Sequence, residues 1–288
     1  MWTIERSPNS VCAKAHVRYS PNQDWEQWVL VTSDEHIDSP KCEVALLRHH
    51  MDQAVDRNAM MVKLGDSVDA MQGKSDRRSS KDDLADQYKR KDYLNALVEG
   101  VVEFYRPYKD HIGYLGYGNH ETSLIKYYEF DVLALVARDL QLQGSPVVLG
   151  GYRGWIKFLF SRESGGRFSI NLYQVHGYGG GGPVTKDVIQ ANRKAVYLPD
   201  ADIVVSGHTH DRNIFPIEQI RLSASGKEFQ TTQYHVKTGG YKNEFLEQDQ
   251  GFVVEKGMPP KTVGGYWIRF YYSSRTKRVE FQIFETDR

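Results

Sequence analysis

Residues 60–69 read Met60-Met61-Val62-Lys63-Leu64-Gly65-Asp66-Ser67-Val68-Asp69, a short apolar run that stops at a glycine and two carboxylates. Five residues of this kind, bounded by turn formers, have the length of a buried strand feeding a loop. Upstream, Trp28-Val29-Leu30-Val31-Thr32 stops in the same way at Ser33-Asp34. Between the two runs Val44, Leu47, Met51 and Val55 recur at helical spacing, which predicts a helix from about Lys41 to Asn58. Strand, helix, strand is the signature of a parallel α/β sheet.

Downstream, Leu84 to Tyr105 reads as a helix and Ile112 to Leu115 as a strand ending in Gly118-Asn119-His120-Glu121. The spacing predicts one amphipathic helix over Leu124 to Leu142, then strands at Pro146–Leu149, Trp155–Phe160 and Phe168–Val175, the last ending at His176. Ile203-Val204-Val205-Ser206 delivers Gly207-His208-Thr209-His210. The part from about residue 212 is β-rich, and its runs Tyr234–Thr238, Tyr266–Tyr272 and Val279–Phe284 suggest a second sheet packed on the first.

The 288 residues contain no repeat, low-complexity tract or linker, so a single domain over 1–288 is expected. Lys+Arg and Asp+Glu both total 37, and zero net charge removes the global basic field of a protein that coats nucleic acid. Cys12 and Cys42 alone make neither a disulfide framework nor a thiolate zinc module. The first residues lack the pattern of a secretory signal, and no apolar run is long enough to span a bilayer. A soluble, cytoplasmic protein with no membrane association and no obligate protein partner is expected.

Five strand ends thus carry the chemically interesting residues, and in open α/β sheets ligands bind outside the carboxyl ends of strands. These turns hold five of the ten histidines, in the blocks Asp34-Glu35-His36, Gly65-Asp66-Ser67-Val68-Asp69, Gly118-Asn119-His120-Glu121, His176-Gly177 and Gly207-His208-Thr209-His210. Imidazole nitrogen with carboxylate and amide oxygen is a ligand set for Mn²⁺, Fe, Zn²⁺ or Ni²⁺. In order and content, the blocks resemble the calcineurin-like metallophosphoesterase superfamily pattern of D-x-H, G-D-x-x-D, G-N-H-D/E, H and G-H-x-H.

The resemblance implies an α/β fold of two facing mixed sheets flanked by helices, an αββα sandwich with a binuclear centre at one edge. It implies that Asp34, His36, Asp66 and His210 hold one divalent ion and Asp66, Asn119, His176 and His208 the other, with Asp66 bridging. Manganese is the expected metal. Two cations about 3.5–4 Å apart neutralise a phosphate ester and bind a deprotonated water for in-line attack. The resemblance gives His120 the role of stabilising the transition state or protonating the leaving oxygen. Glu121 is expected to orient His120 by accepting its second ring proton, and Asp69 is a further supporting carboxylate. The expected activity is phosphodiester hydrolysis, with nucleic acid or a nucleotide as a candidate substrate; a phosphomonoesterase or phosphoprotein phosphatase is the alternative.

Outside the blocks the readings are divided. Gly177-Tyr178-Gly179-Gly180-Gly181-Gly182 formally matches the dinucleotide fingerprint G-x-G-x-x-G, which admits a distant oxidoreductase alternative. The preferred reading has Gly179 and Gly180 bring backbone N–H groups to a substrate phosphate, against a merely flexible loop. The charged insert at about 73–93 places Lys74, Arg77 and Arg78 where they could hold a second phosphate, against a solvated surface. His49-His50 reads as a solvated helix face, and Tyr178 and Tyr241 as speculative base-stacking platforms.

Overall fold

The computed structural model describes residues 2–21, 24–70, 84–162, 165–179, 185, 187–243, 257 and 260–288. In chain order its elements are β1 (Trp2–Arg6), β2 (Cys12–Arg18), β3 (Glu26–Thr32), α1 (Val44–Asp56), β4 (Met60–Lys63), α2 (Tyr93–Tyr105), β5 (Ile112–Leu115), α3 (Asn119–Tyr128) and α4 (Val132–Leu142). There follow β6 (Val148–Leu149), β7 (Arg153–Ser161), β8 (Arg167–Val175), α5 (Val188–Tyr197), β9 (Ile203–Ser206), β10 (Asn213–Leu222), β11 (Glu228–Lys237), β12 (Tyr266–Ser273) and β13 (Arg278–Glu285).

One sheet has six strands in the order β13-β12-β3-β4-β5-β6 and the other seven in the order β1-β2-β7-β8-β9-β11-β10. Both are mixed: β3, β4, β5 and β6 run parallel, and β12 joins β3 antiparallel. The central strand β4 is buried at every position, as a parallel strand covered on both faces must be. Met60, Val62 and Leu64 pack between the sheets with Val29, Val31, Phe158 and Ile203. Met61 points the other way, into a layer with Leu47, Leu97 and Val136 from α1, α2 and α4. On the outer face of the seven-stranded sheet, Tyr173, Val175 and Val204 cluster with Leu198 just past α5. The architecture is the expected α/β arrangement of two facing mixed sheets flanked by helices.

Four details differ from the sequence reading. The helix expected over Leu84–Tyr105 is α-helical only from Tyr93, with a single 3-10 turn at Asp86–Tyr88 before it. The single helix over Leu124–Leu142 is two helices, because Glu129 takes a left-handed φ of 52° and Asp131 caps α4 by accepting the Ala134 N–H at 2.9 Å. The C-terminal strands form no sheet of their own: β10 and β11 extend the seven-stranded sheet beside β9, whereas β12 and β13 extend the six-stranded one beside β3. β1, β2 and α5 are elements that the sequence pattern does not announce. β2 buries Ala13, Ala15 and Val17 while Lys14, His16 and Arg18 face solvent, an alternation too weakly apolar to stand out. Among the described residues no helix is long and apolar enough to cross a membrane.

Candidate metal centre

β3, β4, β5, β8 and β9 end at Thr32, Lys63, Leu115, Val175 and Ser206, and each leads within a few residues into one of the five polar turns. Neighbouring turns are laced by backbone: the N–H groups of Asp34, His36 and Ile37 donate to the carbonyls of Gly65, Asp66 and Ser67 at 3.0, 3.1 and 2.9 Å. The Gly207 N–H reaches the His176 carbonyl at 2.7 Å, tying together two turns of the seven-stranded sheet.

The side chains then converge. Asp34 Oδ1 lies 3.3 Å from His210 Nε2 and 3.8 Å from His176 Nε2, and its carboxylate accepts the His208 N–H at 2.9 Å. Asp66 Oδ2 is 2.9 Å from His176 Nε2, and Asp66 Oδ1 accepts the His120 N–H at 3.0 Å. Asn119 Oδ1 sits 2.8 Å from His208 Nδ1 and 3.2 Å from His176 Nε2. His176 Nδ1 meets the Leu64 carbonyl at 3.0 Å; a carbonyl only accepts, so Nδ1 carries a proton and Nε2 is turned to the cluster. Three triads have donor atoms within 4.8 Å of one another: Asp34, His36 and His210; His36, Asp66 and His120; and Asp66, His176 and His208. Asp66 belongs to two of them. The five blocks that resemble the calcineurin-like metallophosphoesterase pattern thus meet at one place in the fold.

No protein-family model matches the sequence, and no curated protein matches it significantly. Among solved structures the chain is similar to a predicted phosphoesterase from Streptococcus pneumoniae, at 12% identity and a TM-score of 0.31, over 91% of this chain and 99% of that one. Calcineurin-like phosphoesterase YfkN from Bacillus subtilis is 12% identical with a TM-score of 0.40, over 90% of each chain. Wild-type Vps29 from Entamoeba histolytica, complexed with zinc, is 9% identical with a TM-score of 0.36, over 90% of this chain and 98% of that one. These likenesses concern the fold, and the chemistry of the site rests on its own geometry.

That geometry fits divalent ions. His36 is buried, and neither of its ring nitrogens makes a hydrogen bond of good geometry: Nδ1 has Asp69 Oδ1 at 3.3 Å beside it and Nε2 has no partner, which is costly unless something else takes its lone pair. Imidazole, carboxylate and amide donors without thiolate suit Mn²⁺, Fe, Zn²⁺ or Ni²⁺ alike. Burial alone would raise the Asp34 carboxyl, but His210, His176 and His36 hold it well below the usual carboxylate range. Asp66 is likewise held at about 2 against burial by His176 and His120. His176 is pushed up to about 9, the opposing effect of burial being outweighed by Asp66 and Asp34.

The turns are strained in a common way. Asp34, His36, Asp66, His208 and His210 have φ of 52°, 49°, 51°, 76° and 56°, all left-handed. Such residues cost about 1–3 kcal/mol each and persist where the surroundings over-determine them. Two glycines are explained by close approach: a Cβ on Gly118 would overlap Asp66 Oδ1, and one on Gly207 would overlap Ser33 Oγ and Asp34 Oδ2.

Glu121 is a correction. It is fully buried and turned away from His120: its carboxylate accepts the N–H groups of Gly118 at 2.8 Å, Asp66 at 3.0 Å and Ser67 at 2.7 Å, with Val68 at 3.4 Å. His120 Nδ1 instead meets the Asp69 carbonyl oxygen, with Asp69 Oδ1 3.6 Å away. Asp69 is the more central carboxylate, lying 3.3 Å from His36 Nδ1 and 2.6 Å from Lys242 Nζ, and Lys242 was not anticipated.

Tyr241 is no stacking platform, because it is fully buried and its hydroxyl meets His50 Nδ1 at 2.8 Å. His50 is no solvated residue either: it lies beneath the C-terminal segment, its Nε2 2.9 Å from the Asp287 carbonyl, while His49 is half exposed. Tyr178 is exposed, with its hydroxyl 3.2 Å from that of Tyr197. Gly179 has a φ of 77°, and among the described residues no atom lies within 4 Å of where its Cβ would stand. Lys74, Arg77, Arg78 and Gly180 lie outside the described residues. The glycine loop does sit between adjacent parallel strands β8 and β9. Among the described residues the next helix starts at Val188, six positions past the last glycine of the run, whereas a dinucleotide fingerprint opens its helix at the glycines.

Proposed function

We propose that this chain is a binuclear metal-dependent phosphoester hydrolase acting on phosphodiesters. The observation that carries the reading is the meeting of three His/Asp triads at one sheet edge, with His36 and Asp66 each shared by two of them. Asp34, His36 and His210 would hold one divalent ion and Asp66, Asn119, His176 and His208 the other, with Asp66 reaching both and Mn²⁺ the expected metal. Bound there, two divalent cations supply Lewis acidity toward the phosphate oxygens and toward a water nucleophile.

The chain's own residues then do the rest. Hydrolysis replaces the P–O bond of the leaving alkoxide with a bond to a water oxygen, and the alkoxide takes a proton. His120 is the donor. Its Nδ1 is occupied by the Asp69 carbonyl, which leaves Nε2, 3.8 Å from Asp66 Oδ2, on the side of the cluster. The side chain is 12% exposed, enough to meet a substrate from solvent.

The test is Mn²⁺-dependent hydrolysis of bis(p-nitrophenyl) phosphate beside p-nitrophenyl phosphate by metal-stripped and reloaded protein, with His120→Ala as control. Diester turnover that needs both metal and His120 is the expected result. A monoester preference moves the substrate to phosphatase chemistry. A rate unchanged in His120→Ala removes the acid from that residue, since general acids contribute about 10²–10⁴-fold.

A further inference from the structure

The residue between the two ligands of the first block, Glu35, has no part in the chemistry above, yet it is 1% exposed. Alternation along the turn sends its side chain opposite to Asp34 and His36, toward the helical layer. There Glu35 Oε1 accepts the Thr32 hydroxyl at 2.8 Å and the Lys63 ammonium, and Oε2 accepts the Tyr105 hydroxyl of α2. Lys63, the last residue of β4, is also 1% exposed, and its Nζ lies 4.6 Å from the Tyr105 ring centroid and 3.9 Å from Met51 Sδ. A charged pair is therefore enclosed in a layer otherwise filled by Leu47, Met51, Leu97 and Val101.

Stability alone accounts poorly for such a pair. Taking two charges out of water costs about as much as their attraction returns, and apolar residues of similar volume often do as well or better. What the pair adds is direction. Asp34 and His36 both hold left-handed φ, 52° and 49°, and the anchored residue between them fixes the turn in that conformation.

We propose that Glu35 and Lys63, with Tyr105, form a strut whose role is to position Asp34 and His36 for their ion. They are positioning residues and touch neither metal nor substrate. This rests on the reading that the cluster holds two ions, and it deepens it: each half of the centre has its own buried glutamate beneath it, in addition to the backbone hydrogen bonds that link the two turns. The Asp66 turn hangs on the Glu121 carboxylate, which reaches Asp66, Ser67 and Gly118 without involving Glu35. Loss of the strut therefore weakens the ion held by Asp34, His36 and His210 more than the one held by Asp66, His176 and His208.

The experiment is calorimetric titration of Mn²⁺ into metal-stripped wild type, the double variant Glu35→Leu/Lys63→Met, and Tyr105→Phe. Titrations of His36→Ala and His208→Ala assign the two binding steps. Near-UV circular dichroism and a cooperative melt of the metal-free protein control for folding. In the double variant the His36-assigned step is expected to weaken by roughly 10–100-fold, the range for groups that orient metal ligands, and the His208-assigned step by a clearly smaller factor. Tyr105→Phe removes one hydrogen bond and keeps the pair neutralised, so it weakens the same step by a smaller factor and carries the test if the double variant does not fold. Wild type that takes up fewer than two ions refutes the metal centre and the strut with it. Wild type that takes up two, with variants that lose both steps equally or neither, refutes the strut alone.

Discussion

Replacing Glu121 separates two accounts of the residue after His120. With Glu121→Ala, the N–H groups of Gly118, Asp66 and Ser67, bonded at 2.8, 3.0 and 2.7 Å, lose a fully buried acceptor. Each buried donor left without a partner costs about 1–3 kcal/mol. Against this, burial and the Asp66 charge already push the Glu121 carboxyl up to about 7, so its removal also relieves an unfavourable charge. Three donors at the lower half of that range give about 3–6 kcal/mol, and a carboxyl raised from 4.5 to about 7 returns about 3 of it at pH 7.5, a net loss of up to about 3 kcal/mol in the metal-free protein. Glu121→Gln is expected to lose at least half as much, because its NH₂ would face backbone N–H groups that need an acceptor. The assay is urea unfolding of metal-stripped protein at pH 7.5, with metal content measured alongside. If Glu121 were the partner of His120, Glu121→Gln would lower turnover and leave stability within about 0.5 kcal/mol of wild type, as a substitution away from any buried network does. That outcome would refute the reasoning.

Other expectations follow from single contacts. Gly118→Ala drives a Cβ into the Asp66 carboxylate, so metal uptake and turnover should fall together; a variant with two bound ions would show that the turn yields. Asp66→Asn should abolish turnover and lower metal content, and full activity with two ions would remove the bridging role. His235, 2.8 Å from Gln233, is held down to about 4 by burial and by Lys194. The folded chain therefore keeps it neutral while the unfolded chain protonates below its ordinary 6.5, so stability is lost as pH falls from about 6.5 to about 4 and levels off below. Equilibrium unfolding across that range should show a shallower slope in His235→Phe, and an identical slope would refute the assignment.

The five blocks were legible because each is a contiguous group of two to five residues directly after a short apolar run, and because ligand chemistry is carried by side-chain type. The partners of Glu121 were not legible, since they are backbone N–H groups of a turn more than fifty residues away, which no side chain announces. Adjacency to His120 suggested the wrong pairing. On a helix, neighbours in sequence point about 100° apart, and α3 begins at Asn119, so His120 and Glu121 face different surroundings. His50 was misread for a related reason: its burial depends on Tyr241 and Asp287, some 191 and 237 positions away. The break between α3 and α4 did carry a local signal, Asp131 ahead of Val132-Leu133, of the kind that caps a helix.

The buried glutamates clarify what the motif spacing encodes. The turns after β3 and β4 must present carboxylates and imidazoles inward from left-handed backbone, and each is anchored from beneath by one buried glutamate. Under the Asp34 turn, Glu35 meets side chains: a lysine, a tyrosine and a threonine. Under the Asp66 turn, Glu121 meets only main chain. The difference follows from where each residue lies. Glu35 is inside the turn it anchors, so its carboxylate has to reach outward into the helical layer. Glu121 comes from the first turn of α3, so it can approach the Asp66 turn from outside and take the N–H groups that turn leaves unpaired. The glycine before Asn119 completes the arrangement, because any side chain on Gly118 would occupy the place of the Asp66 carboxylate. The short motifs are therefore packing statements as much as ligand lists, and the residues that make the ligands usable lie partly between them and partly beneath.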